Sequence, residues 1–186
     1  VVRENHTATL LANGKVLFAG GLGAAANATN SAELYDPASS SFTTTSPMQF
    51  ARENHTATLL PNGKVLVTGG FSTFGPTNTA ELYDPITGTW TVTDPLPIAI
   101  LAHSATLLPN GKVLVAGGDG PLSITAAAEV FDPTSGPNGK WTAVNPMNSD
   151  RRFHSAILLP NGKVLVTGGQ RENLTVLSST ELFDPV

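Results

Sequence analysis

The apolar positions of this chain come in short bursts broken by glycine, proline and asparagine, and no stretch carries persuasive helical spacing. Four bursts stand out: "VLFAGG", "VLVTGG", "VLVAGG" and "VLVTGG", starting at Val16, Val65, Val113 and Val164. A continuous apolar run of this length, rich in valine, reads as a strand buried on both faces. Ahead of each lies a Thr- and Leu-rich segment, such as His55 to Leu60, which reads as a partner strand. "PNG" or "ANG" joins the two. Asn-Gly between apolar runs predicts a hairpin, here a type I′ turn with positive φ at both central residues. Pro61 falls at the strand end, where a lost amide donor costs little. A third strand is predicted over Ala80 to Tyr83, then a turn "DPITGT". In it Asp84 can accept from nearby amides and Gly88 suits a left-handed position. A fourth, Trp90 to Thr93, alternates Trp and Val with Thr.

The whole pattern recurs. His6, His55, His103 and His154 are separated by 49, 48 and 51 residues, and the glycine pairs at Gly20, Gly69, Gly117 and Gly168 keep the same steps. "AELYDP", "AELYDP", "AEVFDP" and "TELFDP" form a third landmark, while "SFTTT", "TWTVT" and "KWTAV" form a fourth that occurs only three times. The chain therefore divides into units of roughly 3–49, 50–97, 98–148 and 149–186 within one domain, 1–186, and the last unit lacks its fourth strand. Repeats of this period mark arrays of one supersecondary unit.

Gly69-Gly70, Tyr83 and Trp90 match the pattern of the kelch repeat, whose four-stranded units are the blades of a β-propeller. Tyr35 with Phe42, and Phe131 with Trp141, are conservative departures. The resemblance covers essentially the whole chain, and its wording is most similar to bacterial, galactose-oxidase-like kelch repeats. It implies an all-β propeller of about four blades. Kelch propellers usually have six or seven, so the expectation is a fragment of a larger propeller. The alternative is four units that close or form a homo-oligomer through open blade edges.

Composition narrows the function classes. Charged residues make up 13% and the net charge is −4, with signs scattered, which argues against a nucleic-acid surface. No apolar run is long enough for a membrane span. Cysteine is absent, so disulfides, thiol nucleophiles and Cys-ligated metals are excluded. The copper radical chemistry of the galactose-oxidase family needs a Cys-crosslinked tyrosine beside a second tyrosine and two histidines. Here the two tyrosines, Tyr35 and Tyr83, share one repeat position, so that chemistry does not carry over and no cofactor is expected. No nucleophile elbow, zinc-protease motif or phosphate loop occurs. Glycosidase-type carboxylates drawn from different blades stay open. A composition poor in Lys and Arg and rich in Thr, Ser, Asn and Gly fits a secreted or cell-surface bacterial protein.

A group needed once has no reason to recur in every blade, so the repeated residues read as scaffold. The four histidines are expected to bond locally at the starts of first strands, the competing reading being a ring of imidazoles for a metal or anion. Arg3, Arg52 and Arg151 precede three of them by three residues, with Ile100 at that place in the third unit. They pair with Glu33, Glu81 or a neighbouring acid, or else line a mouth. In an antiparallel blade the linkers between units and the loops between second and third strands share one end. Those loops are unrelated: "LGAAANATNS", "FSTFGPTNT", "DGPLSITAA" and "QRENLTVLS". Binding residues concentrate on loops held by a rigid scaffold. The predicted contacts are Phe71, Phe74, Asp119, Arg171 and Glu172, with Arg52 and Arg151 at the mouth. The predicted partner is a protein or carbohydrate and the role non-catalytic. The alternative is an assembly unit, or part of a larger secreted carbohydrate-active or oxidase-like enzyme. Sequons at Asn5, Asn27, Asn54 and Asn173 are weak, and the first and third fall inside the scaffold repeat.

Overall fold

A computed structural model describes residues 2–185. It is all-β. Three four-stranded antiparallel sheets and one three-stranded sheet follow in chain order. In the second sheet, Thr56–Leu59 pairs with Val65–Thr68, which pairs with Ala80–Asp84, which pairs with Thr89–Val92. The first sheet (Thr7–Leu10, Val16–Ala19, Ala32–Asp36, Ser41–Thr44) and the third (Ser104–Leu107, Val113–Ala116, Ala128–Asp132, Lys140–Val144) repeat that order. The fourth holds Ser155–Leu158, Val164–Thr167 and Thr180–Phe183. First strands of successive sheets lie against one another. The sheets therefore splay from a common line, as blades do.

In the second and third blades both faces of the second strand are buried between neighbours, as a continuous apolar run requires, while in the first and fourth blades one face is buried and the other half-buried. Val65 and Val67 pack backwards on Leu11, Leu17, Ala19 and Ala32 of the first blade. Leu66, between them, packs forwards with Val113, Val115 and Phe131 of the third. Alternation puts neighbours on opposite faces, so one strand serves two cores. The aromatic of each fourth strand stacks on that of the third: Tyr35–Phe42, Tyr83–Trp90 and Phe131–Trp141 all have ring centroids 4.9 Å apart. The departures from Tyr and Trp thus preserve the stack. Beside the fourth, three-stranded sheet, a groove of about 860 Å³ runs along the third blade, lined by Leu114, Val130, Val144, Val166 and Phe183.

The hairpin between first and second strands differs from the type I′ expectation. Gly63 has φ +81°, but Asn62 is not in the left-handed region. The Gly63 amide donates to Leu60 O at 2.9 Å and the Leu60 amide to Lys64 O at 2.8 Å. This is a type I turn with Pro61 at its second position, followed by glycine in a bulge. Proline's fixed φ suits that position, and Asn62 instead accepts the Lys64 amide on its side-chain oxygen at 3.1 Å. The "DP" turn behaves as predicted: Asp84 Oδ1 accepts from the Ile86 amide at 2.9 Å, and Gly88 has φ +69°.

Candidate functional site

The end built from "NGK" and "DP" turns is closed by its own charges. Lys15–Asp36, Lys64–Asp84, Lys112–Asp132 and Lys163–Asp184 are ion pairs of 3.1, 3.3, 2.9 and 2.9 Å. Each ties the first hairpin of a blade to the end of its third strand. These side chains are partly exposed, so each pair contributes at most about 1 kcal/mol.

Three of the four histidines bond from blade to blade. Nε2 of His55 meets Thr7 Oγ1 at 3.0 Å, that of His103 meets Thr56 Oγ1 at 2.9 Å, and that of His154 meets Ser104 Oγ at 2.8 Å. Each partner is the residue just after the previous blade's histidine. Burial pushes His55 and His103 down to about 3, helped by Arg52 and neighbouring imidazoles, and His154 down to about 4, helped by Arg151. Neutral rings buried in this way are struts between blades.

Arg52 and Arg151 do not line a mouth. Both are fully buried, and this corrects the sequence expectation. Arg52 reaches Glu81 Oε1 at 3.0 Å and donates to the carbonyls of Gly69 and Thr79. Arg151 does the same with Glu181 at 2.6 Å and with Gly168 and Ser179. Arg3 pairs with Glu33 at 2.7 Å. A guanidinium offers five donors in a planar fork, enough to hold one acid and two carbonyls at once. Each of these arginines pairs with an acid of its own blade.

The other end carries the unrepeated residues. Phe71–Ser72 pairs with Gly75–Pro76 in a small hairpin. The Gly-Pro step is therefore the returning strand, and Phe74 sits at the tip, 99% exposed. Phe71, 40% exposed, is anchored through its backbone to Glu53. On the third blade Asp119 pairs with Arg152, and its backbone bonds Leu101 in both directions. Glu172 crosses from the fourth blade to accept the Ile124 amide at 2.9 Å. Arg171 lies 3.3 Å from Asp150, and these two, with Glu172 and Asn173, line a shallow depression of about 280 Å³. The structure thus joins Asp119, Arg171 and Glu172 in adjoining loops of two blades, with Phe71 and Phe74 one blade back. Sequence reasoning missed Arg152 and Phe153. The Arg152 guanidinium lies 5.4 Å from the Phe153 ring centroid, and Phe153 is exposed. The available signal was that Phe153 stands where Asn5 and Asn54 stand in earlier repeats. All three, with Ala102, have φ near +50°. That conformation, readily adopted by asparagine, accounts for the Asn of two of the four sequons.

The sequence pattern of the kelch motif matches residues 54–97, which is the second blade with its flanking linkers. This chain has the fold of a kelch-repeat propeller. A solved structure titled "Structure of YjhT" superposes with a TM-score of 0.80 over 98% of this chain and 68% of that one, at 18% identity. A fungal alcohol oxidase of the AA5 family, solved in complex with copper, superposes with a TM-score of 0.59 over all of this chain and 52% of that one, at 19% identity. The chain thus spans about two thirds of the first and half of the second. No curated protein sequence matches it. The kelch residues of this chain do not fit a copper centre. Three of its four histidines bond across blades, its tyrosines pack against fourth-strand aromatics, and no three His, Asp or Glu converge among the described residues. Among the described residues no helix is long and apolar enough to cross a membrane.

Proposed function

We propose that this propeller is a non-catalytic interaction module that receives a protein segment or a glycan on the face carrying the loops between second and third strands. One observation carries the reading: large apolar side chains stand outwards at the tips of these loops. Phe74 and Leu122 are almost wholly exposed, and Leu174 and Val176 are largely so. Beside them lie the Arg171 depression and the Asp119–Arg152 pair. Apolar tips beside oriented polar groups suit a peptide side chain or a sugar face. The opposite end offers lysines already neutralised by aspartates.

The test is a glycan and peptide array probed with four proteins: wild type, Phe74→Ala, Arg171→Ala, and a Lys64→Ala/Lys112→Ala control. Both loop variants are expected to lose about tenfold in affinity, equivalent to about 1.4 kcal/mol, with unchanged melting. The control should bind as wild type. Loss of binding in the lysine control alone would place the site at the other end.

A further inference from the structure

Two of the four blades meet the glutamate of their third strand with the same set of donors, the first blade meets its Glu33 with the equivalent arginine, Arg3, and the third blade has no arginine there. Glu81 takes Arg52, and its two oxygens also accept the backbone amides of Gln49 and Phe50 at 2.7 and 3.1 Å. Glu181 takes Arg151 and the amides of Asn148 and Ser149. In the third blade the corresponding acid is Glu129, only 3% exposed. Ile100 replaces the arginine, and Pro97, which has no amide hydrogen, replaces Gln49 and Asn148. Of the three donor positions only the Ile98 amide remains, and Glu129 Oε2 is left without a hydrogen-bond partner.

The surroundings offer no substitute. Val115 and Ala143 sit opposite Glu129 on the two flanking strands, and residues 97–100 lie in the linker that supplied the donors in the other blades. No arginine, lysine, histidine or second acid contributes to its electrostatics. Burial of an acid without a counter-charge disfavours the carboxylate. Accordingly burial pushes Glu129 up to about 7, the Ile98 amide only partly opposing it.

We propose that Glu129 makes the linker between the second and third blades proton-dependent. With the acid neutral, residues 97–100 seal it into the blade; with the acid ionised, they open to let water reach the carboxylate. The sign follows from the raised value. The native fold binds the proton more tightly than the unfolded chain, so this contribution is complete below about 4.5 and is lost as pH rises through about 7. The linker leads directly to the variable face. Ile98 and the Ala99 carbonyl lie beside Gly120, and Leu101 pairs with Asp119. The order of the 119–124 loop therefore depends on the same proton.

Amide hydrogen exchange of the whole chain between pH 6 and 8, corrected for intrinsic rates, tests this without any ligand, so its outcome is independent of the binding proposal. Wild-type protection at residues 98–101 should fall about tenfold across that range. Protection at 49–52 and 148–151, where arginine is present, should stay flat. Glu129→Gln should abolish the fall, and Ile100→Arg should abolish it by restoring the ion pair. Should the arginine not be accommodated, Glu129→Gln decides alone. A flat wild-type profile, or a fall that persists in Glu129→Gln, overturns the proposal.

Discussion

Arg52→Ile is expected to destabilise the chain by about 3–5 kcal/mol at pH 7, read as a drop in the urea midpoint. Removing one partner of a buried pair leaves the other charge uncompensated, a loss of that order. Arg52 and Glu81 are both wholly buried, and the guanidinium also holds two carbonyls of its own blade. The loss therefore includes two unsatisfied acceptors as well as a stranded carboxylate. Adding Glu81→Gln should return part of it, because the stranded charge is then gone while the orphaned carbonyls remain. A loss below about 1 kcal/mol would mean that the guanidinium faces water, as a mouth residue would.

Gly69→Ala is expected to lower stability by about 3–4 kcal/mol, whereas Gly63→Ala should lower it by only about 1 kcal/mol. Both glycines have positive φ, so both substitutions carry the backbone strain of a left-handed residue. They differ in what the new carbon meets. At Gly63 it meets nothing within 4 Å. At Gly69 it would lie 2.5 Å from Ile100 O and 2.8 Å from His103 Cε1, both in the next blade. Neither is the free end of a flexible side chain, so the blades must part. The second glycine of the pair makes the reverse contact: the Gly70 amide donates to Ile100 O at 2.8 Å. Equal losses at the two sites, measured by chemical denaturation, would contradict this account of the glycine pair.

These contacts explain why a histidine and a glycine pair recur together, which the sequence displayed without giving the reason. The imidazole of one blade lies on the first glycine of the blade before it. Strand order was legible because period, apolar runs and turn residues all agreed, and each predicted strand lies within about one residue of the observed one. The turn type was not legible from Asn-Gly by itself. The preceding proline sets a type I turn, so only the glycine needs positive φ. The arginines were half legible: their spacing from Glu33 and Glu81 in the repeat pointed to pairing. Their complete burial depends on packing between blades, which no single repeat encodes. At the variable face, exposure of Phe74 and the pairing of Asp119 with Arg152 follow from how loops of different blades meet. The sequence contains no term for that meeting. Ile100 and Pro97 were visible as departures from the repeat, but their joint effect on Glu129 required the register of the third strand.

Titration of the imidazoles by NMR tests most directly whether the repeated residues are scaffold and the loops carry the function. His55 and His103 should remain neutral as pH is lowered to about 4, with no shift on adding copper, zinc or phosphate. Their folded values lie below the unfolded one, so their contribution to stability is complete above about 6.5 and lost as pH falls towards 3. Imidazoles that titrate near 6.5 and respond to an added metal or anion would instead place a ligand site at the blade starts, and contradict the division between scaffold and loops.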